Sequence, residues 1–516
     1  MSIRRICLVV TLFGAAPAGA QGFFEDVSAA AGFAPTFLAN IPAGGVAVAD
    51  YDRDGFPDIF VSGYLQPNRL YFNRGDGSFE ERVAVTASIE GSRCSVAAAA
   101  DFDNDGWPDL YVGCRGQSNL LLRNLGGSGF ANLISAVVDH SPIGSNSART
   151  DAVAWGDIDG NGLLDLYIGV YPTSSTPDLT DPDNLDRIVL QTAPGQWLNI
   201  AAGFTGDDRA KLGRTALAGV FSDFDGDGRV DLYVVNDKQQ GNTLWRNEGA
   251  GCGGWCLREI AAESGAGQVP YGMGIAVADI DRDGDWDLWF SSIDEQFFLR
   301  GLSRAPLLWQ HEPASVLNHY GVGWGTIFAD FDNDGWQDGF LAVGSGGFST
   351  TPNQDQLYRN DGGQFVNITA QSGALLQNRP TQAAAVIDFD RDGRLDLVLG
   401  HWNEGYRLYR NVHGGSGHWL AISLEGAAGI NRDGLGTVVE VRTADGAVQL
   451  REMRAGESRG SSHDRVLHFG LGSHATAEVT VHWPDGSVEL LGAMDGNQYH
   501  HHAQPQAVLF QHGFED

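Results

Sequence analysis

The stretch DFDNDGWPD, Asp101 to Asp109, carries acids at its first, third, fifth and ninth places and a glycine at its sixth. Carboxylates this close repel one another unless a cation or protons neutralise them. The chain writes the pattern seven times, beginning at Asp50 (DYDRDGFPD), Asp101, Asp157 (DIDGNGLLD), Asp223 (DFDGDGRVD), Asp279 (DIDRDGDWD), Asp330 (DFDNDGWQD) and Asp388 (DFDRDGRLD). Successive copies start 51, 56, 66, 56, 51 and 58 residues apart. A period of about 40–50 residues suits one four-stranded propeller blade, and longer intervals fit blades with insertions.

The flanks repeat as well. Each copy follows a run of small apolar residues, such as GVAVA, VAAAA or GIAVA, and precedes an apolar run such as DIFVSG, DLYVGC or DLYIGV. A third element then ends in a tight turn: RLYFNRGDGSF, LLLRNLGGSGF, TLWRNEGAG, QLYRNDGGQF. The order reads as strand, acidic loop, strand, loop, strand, Gly-rich turn, strand. The small residues of the first strand suit a crowded central axis. The expected fold is therefore all-β: a seven-bladed β-propeller over 21–414, then a small β domain over 415–497 and a tail over 498–516. FFEDVSAAAGF, from Phe23, resembles the fourth-strand segment QFVNITAQSGA from Gln364 but has no blade before it. It is expected to complete the seventh blade, which removes exposed sheet edges.

Aspartates at places one, three and five, turned by glycine, offer a hard cation an all-oxygen set; Ca²⁺ takes six to eight such ligands. An EF-hand loop closes with Glu at place twelve on a helix, whereas here Asp at place nine opens a strand. Up to seven Ca²⁺ sites are expected. The first three would use Asp50, Asp52, Asp54 and Asp58; Asp101, Asp103, Asp105 and Asp109; and Asp157, Asp159, Asn161 and Asp165. The next two would use Asp223, Asp225, Asp227 and Asp231, and Asp279, Asp281, Asp283 and Asp287. The last two would use Asp330, Asp332, Asp334 and Asp338, and Asp388, Asp390, Asp392 and Asp396. Place seven varies and would give a backbone carbonyl. Asn161 keeps an oxygen but loses a charge, which weakens the third site. A hydrated Asp-Gly turn explains one copy, not seven at the same offsets.

The chain has 33 basic and 65 acidic residues and a formal charge of −32, which argues against nucleic acid and anionic membranes as partners. Hydrophobic residues reach 42%, enough for a large core. Residues 1–20 read as a signal peptide: Arg4 and Arg5, an apolar run from Ile6 to Phe13, and Ala18-Gly19-Ala20 before Gln21. No later run has the length of a membrane span. The protein is thus expected to be exported, to the periplasm, the cell surface or the medium. Cys94, Cys114, Cys252 and Cys256 are candidates for two disulfides.

Arg93, Arg149, Arg214 and Arg379 each lie eight or nine residues before the first Asp of their motif, with Tyr271 and Tyr320 at similar places. That puts them at the start of the innermost strands, opposite the acidic loops. Converging guanidiniums would hold a carboxylate or an acidic sugar; pairing with local loop acids is the simpler reading. Arg74-Gly75-Asp76 spells an integrin-binding tripeptide but occupies the Gly-rich turn, where chance explains it. His500 to His502 read as a polar surface. No Ser-His-Asp, zincin or phosphate-loop pattern is present.

The repeats resemble the FG-GAP, or VCBS, repeats of integrin α-subunit propellers and bacterial surface proteins, over about Phe23 to Asn411. In the C-terminal part, NRDGLGTVVEV, Arg454-Ala455-Gly456, LHFGLG and WPDGSV resemble the ASPIC/UnbV domain. Together they resemble a bacterial member of the cartilage acidic protein family. The resemblance implies seven blades, Ca²⁺ in the loops and no established reaction. The expected function is that of a non-catalytic, exported binding or adhesion protein for a protein or glycan. The alternative is a polysaccharide-active enzyme, secreted or periplasmic, with its site at the axial mouth.

Overall fold

A computed structural model describes residues 22–505 except 34, 36–43, 90–92, 140–148, 173–177, 252–253, 346–352, 416 and 428. The signal-peptide reading, Cys252 and the final LFQHGFED lie outside the described residues. Seven antiparallel sheets follow one another along the chain. In the second, Cys94–Ala100, Asp109–Cys114, Leu120–Asn124 and Phe130–Asn132 pair in sequence order, and the acidic loop joins its first two strands. The first strand of each blade touches that of the next, and the first blade's Val46–Ala49 touches the seventh blade's Thr381–Ile387. The ring is closed.

Closure uses the N-terminus as expected. Phe24–Asp26 pairs with Gly405–Asn411, placing Phe24 opposite Asn411 and Asp26 opposite Tyr409. Small residues let the inner strands crowd the axis: Ala97, Ala98 and Ala99 are fully buried. Larger side chains fill the widening gaps between blades, with Trp155, Trp245 and Trp289 among the largest fully buried. The fifth and sixth blades are stitched by Ile293–Glu295, which pairs with the sixth blade's Tyr320–Ala329.

A second device joins the blades. The third strand ends in an amide side chain that donates back to the preceding blade. Asn124 Nδ2 donates to Tyr51 O at 2.9 Å, Gln191 Nε2 to Phe102 O at 2.9 Å and Asn247 Nδ2 to Ile158 O at 2.8 Å. Asn360 reaches Ile280 O, Asn411 reaches Phe331 O, and Asn73 reaches Phe389 O across the closure, each at 2.8 Å. The fifth blade has Gly301 at this place and lacks the latch; its amide still donates to Asp287.

The C-terminal domain stacks a three-stranded sheet on a four-stranded one. Gln498–Ala503, read from the sequence as tail, pairs in parallel with His418–Glu425 and belongs to the domain, carrying His500 to His502 with it. The domain sits on the acidic-loop face. Asp433 Oδ2 accepts from Asp101 N at 2.6 Å, Arg432 N donates to Asn104 Oδ1 at 2.8 Å, and Gly472 N to Asn333 O at 2.9 Å. Leu420, Phe469 and Trp483 of the domain share one apolar core with Val96 and Trp155 of the propeller.

From this domain, Arg454 to Arg465 descends into the central channel. Val48 N donates to Ser462 O, Ala97 N to Gly460 O, Trp155 N to Ala455 O and Ile275 N to Ser458 O, at 3.0 to 3.1 Å. The inner edges of these first strands present backbone groups to the axis, and the hairpin satisfies them. Close approach is enforced at Gly456, whose φ is +104°: a Cβ there would lie 2.6 Å from Val153 O. The channel, expected to end in an open mouth, is thus filled by the chain itself.

Candidate metal centres

All seven acidic loops have one geometry. In the second, Asp101 Oδ1 accepts from Asp105 N at 3.0 Å and Oδ2 from Gly106 N at 2.7 Å. Asp105 Oδ1 accepts from Trp107 N at 3.0 Å. Asp109 Oδ2 accepts from Phe102 N at 3.2 Å, and its Oδ1 from Asn124 N, on the third strand, at 2.7 Å. The place-nine aspartate therefore ties loop, second strand and third strand together, and each oxygen keeps a second lone pair for a further ligand. Glycine at place six supplies the left-handed turn, with φ +93° at Gly106 and +94° at Gly55, Gly284 and Gly335.

The loops gather carboxylates tightly. Ligand-capable oxygens lie within 4.8 Å of one another in Asp50, Asp52 and Asp58, in Asp101, Asp103 and Asp109, and in Asp157, Asp159 and Asp165. The same holds for Asp223, Asp225 and Asp231, and for Asp279, Asp281 and Asp283. Burial, and then neighbouring carboxylates, push Asp50, Asp101, Asp157, Asp223 and Asp279 up to about 6, and Asp330 and Asp388 to about 7. Asp109 is pushed to about 9, and Asp58, Asp165, Asp231, Asp287, Asp338 and Asp396 well above the carboxylate range, burial again leading. Relative to a solvated aspartate, the ionised form of Asp157 is thus disfavoured by on the order of 3 kcal/mol.

Arginines offset part of this cost. Arg123 pairs with Asp103 at 2.5 Å and Asp105 at 2.9 Å, and Arg410 with Asp390 at 2.6 Å. They leave oxygens over. Asp52 Oδ1, Asp281 Oδ1 and Asp390 Oδ1, all at place three, are buried without a hydrogen-bond partner. Clustered, desolvated, unsatisfied carboxylate oxygens fit a hard divalent cation and nothing softer.

Place four couples the loops. Arg53, Asn104, Arg282, Asn333 and Arg391 are left-handed there, with φ between +56° and +61°. The bend throws each side chain onto the next loop. Asn104 Nδ2 donates to Gly162 O at 2.8 Å, Asn333 Nδ2 to Gly393 O at 3.0 Å, and Arg391 to Gly55 O at 2.7 Å across the closure. Arg53 lies over Trp107 at 5.5 Å and Arg282 over Trp336 at 3.6 Å. The third and fourth loops have Gly160 and Gly226 at place four, so the belt is open there.

The four arginines singled out in the sequence do not meet. Arg93 and Arg149 line one cavity, joined by Arg115 and Lys238, which sequence spacing missed because they follow second strands. Arg214 instead donates to Gly241 O at 2.9 Å, and Arg379 pairs with Glu404 at 3.0 Å. Tyr271 and Tyr320 are exposed. Cys94 and Cys114, opposite one another on adjacent strands, are bridged, and Cys256 is also disulfide-bonded. Arg74 pairs with Glu80 and Asp76 with Ser78, so the Arg-Gly-Asp side chains serve their own turn.

Sequence comparison finds the FG-GAP-like repeat at residues 50–112, 101–168, 223–290 and 330–399, and ASPIC and UnbV at 427–508. Cartilage acidic protein 1 of Mus musculus is 26% identical over 474 residues, covering 86% of this chain and 71% of that protein. Its Homo sapiens counterpart is 25% identical, covering 86% and 69%. Integrin alpha pat-2 of Caenorhabditis elegans is 26% identical over 220 residues, 36% of this chain and 18% of that one. Among solved structures, an Agrocybe aegerita protein recognising non-reducing terminal N-acetylglucosamine superposes with a TM-score of 0.42 at 18% identity, covering 67% of this chain and 83% of that one. BBS1N in complex with ARL6DN gives 0.45 at 11%, covering 76% and 98%. Likenesses this loose say nothing about a ligand.

Proposed function

Since the chain carries FG-GAP repeats and an ASPIC/UnbV domain and is homologous to cartilage acidic protein 1 over most of its length, we propose that it is an exported, calcium-binding propeller serving as a non-catalytic binding or adhesion module for a protein or glycan. The observation that carries the calcium reading is the orphaned, buried oxygen at place three, found in loops whose other carboxylates are desolvated. In each loop the aspartates at places one, three, five and nine would hold the ion, with Asn161 replacing one of them in the third. Bound Ca²⁺ would neutralise these carboxylates and supply the missing partner. The protein's own residues do the rest: the place-nine aspartates staple each blade, and place four links loop to loop.

Adhesion is supported by the integrin-like repeats and by a ring that displays inter-blade loops on a rigid frame. The filled channel favours this reading over an axial enzyme site, because Arg454 to Arg465 occupies the space a substrate chain would thread. Isothermal titration of the chelated protein with Ca²⁺ tests the metal assignment. Several equivalents bound with micromolar or tighter affinity are expected; no heat of binding would contradict it.

A further inference from the structure

Away from the acidic loops, the other end of the ring holds a cavity of about 470 Å³ lined by Tyr64, Arg93, Arg115, Arg149, Tyr171 and Lys238. We propose that it binds the carboxylate of an acidic sugar, a uronate, with the sugar ring beside Tyr64. This rests on the reading of the protein as a binding module and names the ligand class of one site.

Charge is the first argument. In a chain of net charge −32, five cations meet here: Arg93, Arg115, Arg149, Lys238 and, from the channel hairpin, Arg459. Two carboxylates face them, Asp151 and Asp237. Asp151 is fully buried and already committed. Arg115 Nη2 pairs with it at 2.7 Å, and Arg149 and Arg459 stand 4.0 Å away, holding it ionised down to about pH 2. Asp237 accepts from Tyr171 OH at 2.8 Å. The remaining positive charge has no acid to meet among the described residues.

Donors are the second argument. Arg149 Nε is buried and makes no hydrogen bond. Lys238 Nζ uses one donor, on Pro172 O at 3.2 Å. Arg93 is exposed, with no ion pair among the described residues. Arg149 and Lys238 both lie over Tyr171, at 4.3 and 4.4 Å, and Arg115 over Tyr64 at 5.6 Å, so aromatic surface and cations are interleaved. A planar guanidinium matches a carboxylate with two parallel hydrogen bonds, and the ammonium adds a third.

Backbone geometry and shape are the third. Arg93 and Lys238 hold φ of +69° and +57°, and Leu65, beside Tyr64, +60°. Non-glycine residues in this region are strained, and such strain concentrates at ligand sites. The volume falls in the range of small-molecule pockets, about 300–1,000 Å³. An open recess of that size has room for one or two sugar units. It lies a full inner strand from the metal loops, roughly 20 Å at about 3.3 Å per residue, so the anion and the cations do not compete.

Titration calorimetry of the full mature chain in saturating Ca²⁺ decides the matter, with monomeric D-galacturonate and D-glucuronate as probes. Neutral galactose, sulfate and a tetraglutamate peptide serve as comparisons. Saturable one-to-one binding of a uronate is expected, with none of galactose. Lys238→Gln should weaken it at least fivefold, and Arg93→Ala with Lys238→Ala at least tenfold. If the double variant melts lower than wild type, Lys238→Gln alone carries the comparison. No uronate binding, unchanged binding in Lys238→Gln, or tighter binding of sulfate or tetraglutamate would overturn the proposal. Uronate binding without any Ca²⁺-dependent melting shift would instead count against the calcium reading alone.

Discussion

At the scale of the residue, the acidic loops turn on where each carboxylate oxygen goes. Asp390 Oδ2 faces Arg410 while Oδ1 has no partner. Asp390→Asn keeps the shape and removes one ligand charge. It should weaken that loop's affinity for Ca²⁺ about tenfold, since charge count tunes such sites, and barely change the melt in chelator. An equal loss of stability with and without Ca²⁺ would show a purely structural aspartate. The pattern itself was legible, because ligand spacing is written in side chains. The left-handed place-four residues were not: Arg53 and Arg391 read as ordinary polar residues until their backbone aims them at the next loop.

Acid gives a second residue-level expectation. The place-one aspartates have folded-state values of about 6 or about 7, above the unfolded value near 4. A raised carboxylate favours the folded state below pH 4, and that advantage disappears as pH rises through 6. Metal-free protein therefore bears its largest charge penalty at neutral pH, where Ca²⁺ relieves it. The melting difference between Ca²⁺ and chelator should grow from pH 5 to pH 7.5. Buried His401, His463 and His468, held neutral with values near 3 to 4, destabilise both forms alike below their unfolded value of 6.5 and cancel in that difference. A gap that shrinks with rising pH would contradict the burial of these loops.

At the scale of the element, two joints hold the ring. The N-terminal strand was legible, because FFEDVSAAAGF repeats a fourth strand with no blade of its own. The amide latch was legible in principle, as the recurring Asn of RLYFN, LLLRN, TLWRN and QLYRN. It passed for a turn residue because its partner is a backbone carbonyl one blade away. Asn73→Ala leaves Phe389 O and Pro57 O without that donor in the closure. It should cost about 1–3 kcal/mol, measured by chemical denaturation, against a far smaller loss for Gln310→Ala, exposed on the fifth blade's outer strand Leu307–His311. Equal effects would mean that Asn73 does not latch the closure.

At the scale of the molecule, the propeller and the C-terminal domain form one structure through the hairpin in the channel. Alternating apolar residues announced a β domain at 415–497, yet RAGESRGSSH reads as a polar loop. Its role depends on backbone edges that no side-chain pattern records. Gly456→Val would drive a side chain into the Val153 carbonyl and the Ala154 Cβ. It should lower the melting temperature of the whole protein in one transition. Two separate transitions in the wild-type protein would show instead that the domain is merely tethered.

The seven-loop ring is also where the metal assignment is most exposed to test. Differential scanning calorimetry of the protein, in chelator and then in excess Ca²⁺, measures it directly. Ions that bind only the folded loops add stability by mass action at every occupied site. The melting temperature should rise by well over ten degrees with Ca²⁺ and fall back on chelation. An identical melt in both would contradict a calcium-held ring.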